Sequence, residues 1–76
     1  MDELVNLRKI IDVLDDEIVG LIAERQEVVE RIGKIKAKQK IAVFDPKREE
    51  VLKLYHEELS KKYNLSVEFV TRLFAI

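Results

Sequence analysis

The chain is 76 residues long, carries 14 basic and 15 acidic residues, and has no cysteine. Near-neutrality gives no general attraction to nucleic acid or to an anionic membrane, and the missing cysteine rules out disulfides and thiolate metal sites. A domain this short buries only ~60% of its unfolded surface, and the lone His56 has no ligand cluster around it, so self-association is the remaining source of stability.

Taken from its start, Met1-Asp2-Glu3 shows no basic stretch followed by an apolar run, and so no secretion signal. No run of ~18 apolar residues is present to span a bilayer, and the expectation is a soluble cytoplasmic protein. Leu4, Leu7, Ile11, Leu14, Ile18, Leu21, Arg25, Val28, Ile32 and Ile35 then recur at alternating spacings of three and four. That pattern predicts one long helix, from Asp2 to about Lys40, with a coiled-coil-like seam. Gly20 and Gly33 each cost such a helix ~1 kcal/mol relative to alanine. They read either as points of close backbone approach or as tolerated surface positions. The basic run Lys34-Ile-Lys36-Ala-Lys38-Gln-Lys40 lacks the interleaved aromatics of a single-strand binder.

Asp45-Pro46 reads as the N-cap and first residue of a second helix. Its apolar positions are Val51, Leu52, Leu54, Tyr55 and Leu59, and Lys61-Lys62-Tyr63-Asn64 marks its end. Ser66 caps a third helix with an apolar face of Phe69, Val70, Leu73 and Phe74, which has barely started at Ile76. The fold class is therefore all-α, three helices in one domain over residues 1–76. A first helix of ~38 residues is ~57 Å long, whereas a compact chain of this size is only ~30 Å across. Two short helices cannot cover that rod, and an interlocked antiparallel homodimer follows.

A cation inside an apolar seam is the informative observation. Arg25 stands in register with Leu21 and Val28, and reads as a buried arginine paired with a carboxylate, as one stretching its head to water, or as a ligand-binding group. Lys36 lies ~20° from it around the helix and ~16 Å along it, so both can converge on one small anion. Arg8 lies ~100° away from Arg25, yet in an antiparallel dimer it reaches the middle of the other chain's rod. Asp45, Arg48 and Glu49 share the start of the second helix at i, i+3 and i+4. They read either as a cap with a surface ion pair or as an Arg and a Glu presented beside free backbone N–H groups. His56 reads as a surface or intrahelical residue, and Tyr55 and Tyr63 as packing groups with wet hydroxyls.

Leu7-Arg8, Leu14-Asp15, Ala23-Glu24-Arg25, Gly33-Lys34-Ile35-Lys36, Asp45-Pro46-Lys47-Arg48-Glu49 and Thr71-Arg72-Leu73-Phe74 together resemble, in order, the all-helical chorismate mutases. The resemblance covers almost the whole chain. It implies a domain-wrapping dimer with two sites shared between chains, binding the dicarboxylate chorismate without metal or cofactor. It makes Arg8 the cation donated in trans to one carboxylate and Arg25 the group binding the other. Lys36 would reach a carboxylate and the ether oxygen of the breaking bond. Arg48 and Glu49, with the backbone near Asp45, would hold the ring hydroxyl. In the family the third helix continues and supplies a Ser and a Gln, whereas here it reads as truncated, which implies reduced activity. Two other readings stay open: an isochorismate pyruvate lyase on the same scaffold, and a non-catalytic helical dimerisation or regulatory module.

Overall fold

Helix α1, Asp2–Gln39, runs 38 residues without a break, because no proline interrupts the heptad-like pattern and the two glycines are affordable within so long a ladder. The computed structural model describes residues 2–42 and 44–75. Met1, Val43 and Ile76 lie outside the described residues, and with them the first residue of the signal reading and the stopping point of the third helix. At 1.5 Å per residue α1 is a rod of ~57 Å. Asp2 and Glu3 in its first turn and Lys36 and Lys38 in its last complement the helix dipole.

The end of α1 is a hydrogen-bonded stop. Lys40 takes a left-handed conformation at φ 56°. Its N–H donates to the Ala37 carbonyl at 3.3 Å, and the Ile41 N–H donates to the Lys36 carbonyl at 2.8 Å. This is the paired closure that satisfies the last carbonyls of a helix, made here with lysine where glycine is usual. The expected end at about Lys40 is therefore correct to one residue.

Helices α2, Pro46–Tyr63, and α3, Val67–Leu73, make up the rest, and no strand occurs among the described residues. The Asp45 carboxylate accepts from the Lys47 and Arg48 N–H groups at 3.1 and 3.4 Å. Its own carbonyl accepts from Glu49 N–H at 3.0 Å, the first bond of the helix ladder. Asn64 closes α2 in the left-handed region at φ 54°, a conformation asparagine tolerates. Ser66 Oγ then accepts from Phe69 N–H at 3.1 Å, so both N-caps read from the sequence, Asp45 and Ser66, are formed.

The chain divides into two compact units, Met1–Val43 and Phe44–Ile76. In the first, no described residue is buried: the nine apolar seam positions, Leu4 to Ile35, are between 45% and 64% exposed. A Cβ built on Gly20 or Gly33 meets nothing within 4 Å, which fits tolerated surface glycine within the single chain. In the second unit α2 packs on α3. Val70, 4% exposed, is the only buried residue among those described. Leu52, His56, Leu59, Leu73 and Phe74 are half-buried, the last three lining one hollow with Val70, while Phe69 is 54% exposed. Among the described residues no helix is long and apolar enough to cross a membrane.

Candidate active site

The cations come from α1 and the polar trio from the start of α2. Of the chain's 14 basic residues, Arg25 and Lys36 alone are half-buried. The other twelve, Arg8 among them, are exposed. Arg25 and Lys36 are each engaged by another group, as is Gln26 beside Arg25. Their eleven-residue separation on an unbroken helix keeps them ~20° apart in azimuth, so the two positive ends belong to one face. Arg8 sits near the opposite end of the same rod on a different face.

In the second unit Asp45 is committed to capping, its carboxylate taken up by two backbone N–H groups. Arg48 and Glu49, though adjacent, serve different hollows, because successive helix positions turn by ~100°. Arg48 borders an open apolar hollow of about 400 Å³ with Val51, Leu54, Tyr55 and Glu58. Glu49 borders a second one of about 360 Å³, with Leu52, Lys53 and His56 from α2 and Thr71, Phe74 and Ala75 from the end of α3. The shared face read from their i, i+3 and i+4 spacing thus opens into two.

The sequence reading left His56 on the surface or within its own helix, and the structure gives it a partner. Its ring stacks on Phe74, with centroids 5.2 Å apart and planes 21° from parallel. The signal was present: His56 is seven residues past Glu49 and four past Leu52, hence on the face that meets α3, where Phe74 was already expected. Tyr55 and Tyr63 are 53% and 60% exposed, and Lys62 Nζ lies 5.2 Å from the Tyr63 ring centroid. Among the described residues no group of three or more His, Asp or Glu is placed to hold a metal ion. Arg25 and Lys36 place two positive charges on one face of α1, and Asp45, Arg48 and Glu49 stand at the start of α2 in the second unit.

Comparison with known proteins places these residues in context. The family described as chorismate mutase type II matches residues 7–76. The chain is 32% identical over all its 76 residues to a protein of Methanocaldococcus jannaschii named chorismate mutase, of which it covers 77%. It is 35% identical over 75 residues, 99% of the chain, to the bifunctional chorismate mutase/prephenate dehydratase of Buchnera aphidicola subsp. Schizaphis graminum, covering 20% of that protein. It is 47% identical over 49 residues, 64% of the chain, to the protein of the same name from Aquifex aeolicus, covering 14% of it. The chain thus spans a fifth or less of the length of these bifunctional relatives. No solved structure matches it significantly.

Proposed function

The chain belongs to the chorismate mutase type II family, and from that membership we propose that it rearranges chorismate to prephenate within aromatic amino acid biosynthesis. The observation that carries the reading is the pair Arg25 and Lys36, the two half-buried cations of the chain, on one face of an unbroken helix. A doubly negative guest suits two such charges and a third brought by a second chain.

The reaction is an intramolecular rearrangement in which a C–O bond breaks as a C–C bond forms, so no nucleophile or proton transfer is obligatory. Its barrier falls chiefly when the side chain of the substrate is held folded over the ring, which clamped carboxylates achieve. Negative charge gathers on the ether oxygen as the C–O bond opens. The Lys36 ammonium, aimed there, stabilises the transition state more than the ground state. Arg25 holds one carboxylate from within the chain, and Arg8 of a second copy holds the other. Glu49 and the backbone near Asp45 take the ring hydroxyl, and Arg48, which borders the neighbouring hollow, reaches it with its longer side chain. The long exposed seam of α1 supports an antiparallel homodimer, since an apolar stripe of that length gains most from a twofold mate. A cytoplasmic location accords with a cysteine-free chain.

The test is to incubate the purified protein with chorismate and follow its loss together with prephenate formation. Steady turnover is expected, with inhibition by a bicyclic dicarboxylate analogue of the transition state. Pyruvate release from isochorismate without any prephenate from chorismate would replace this reading with the lyase. Absence of both turnover and analogue binding would leave a helical association module.

A further inference from the structure

We propose that His56 is a positioning residue for this site, its ring holding the end of α3 against the face of α2 that carries Glu49; the inference rests on the activity proposed above. Glu49, Leu52, Lys53 and His56 fall on one stripe of α2, because four and seven residues both return a helix to nearly the same azimuth. Thr71, Phe74 and Ala75 form the facing wall. Among the described residues of the two helices Val70 alone is buried, so the apolar contact fixing α3 is thin and each additional contact counts. The His56–Phe74 stack, 5.2 Å between centroids, is the aromatic contact on that wall. Such an offset ring pair adds about 0.5–1.5 kcal/mol beyond the area it buries.

Its place matters as much as its strength. Phe74 lies just beyond the last residue of α3, Leu73, and its N–H donates to the Val70 carbonyl at 3.3 Å. Pinning this ring therefore sets where the helix end stands over the hollow that Glu49 borders. A carboxylate meant to hold a substrate hydroxyl works only if its wall does not drift, since displacements of about 1 Å can cost ~100-fold in rate. His56 touches neither substrate nor reacting atoms in this account. It acts through Phe74.

The stack can be read apart from turnover. With one histidine in the chain, the imidazole carbon-bound protons give resolved NMR signals, expected upfield of a free histidine and relaxing toward it in Phe74→Leu. Kinetics then report the consequence. His56→Ala is expected to raise KM and lower kcat/KM by about tenfold, corresponding to ~1.4 kcal/mol. His56→Phe, which keeps a ring on Phe74, restores most of that loss, whereas a merely stabilising role would leave KM unmoved at temperatures where both variants are folded by circular dichroism. Unchanged KM in His56→Ala, equal losses in His56→Ala and His56→Phe, or unshifted imidazole protons would each overturn the inference. If His56→Ala fails to fold, His56→Leu, of similar volume without a ring, takes its place under the same criteria. An unsubstituted protein with no turnover overturns the proposed activity, and this inference falls with it.

Discussion

Lys36 carries the sharpest expectation at the scale of single residues. Removing a donor aimed at developing oxyanion charge typically costs about 10²–10³ in kcat, so Lys36→Ala should lose that much in kcat, measured by loss of chorismate at saturating substrate. Lys36→Arg keeps the charge but exchanges a compact ammonium for a planar fork, and should recover only part of the rate. A Lys36→Ala variant with kcat within about threefold of the unsubstituted protein would remove the ammonium from the transition state. Arg25 and Lys36 were marked in the sequence because a cation in an apolar seam needs explaining. The structure adds that these two, out of fourteen, are the ones partly withdrawn from water.

Among the elements, the end of α1 stores a correctable strain. Lys40 occupies the left-handed region at φ 56°, which costs a side-chain-bearing residue roughly 1–2 kcal/mol and glycine nothing. Lys40→Gly should therefore raise stability by about 1 kcal/mol, or about 4–8 °C in melting temperature, at fixed protein concentration. A lower melting temperature would show that the Lys40 side chain contributes more than its backbone costs. The element boundaries were legible because their chemistry is local: Asp45 and Ser66 reach N–H groups two or three residues away. The left-handed Lys40 was not legible, since nothing in lysine's own preferences marks it as a stopping residue.

For the whole molecule, the proposed sharing of sites makes a prediction that no single-chain enzyme would meet. Arg8→Ala and Arg25→Ala should each be nearly inactive alone. Mixed after unfolding and refolding together, they form heterodimers in which one site receives two sound chains' contributions and the other receives both defects. With random pairing, half the dimers are mixed and half of their sites intact, so about a quarter of the original activity should return. Activity no higher than the sum of the separate variants would place Arg8 in the same chain's site or in none.

The amino-acid order by itself determined what depends on near neighbours: three helices, their caps, the seam of α1 and the cations along it. Period and capping act over a few residues, and no distant partner can alter them. Only the tertiary structure decided which apolar positions find a partner within the chain. Phe69 and Val70 look alike as sequence, yet one is 54% exposed and the other 4%. The same holds for His56, whose stacking on Phe74 depends on the packing of α3 against α2. Adjacent positions point ~100° apart, and the angle at which two helices meet selects between them, a property of the pair that neither helix encodes alone.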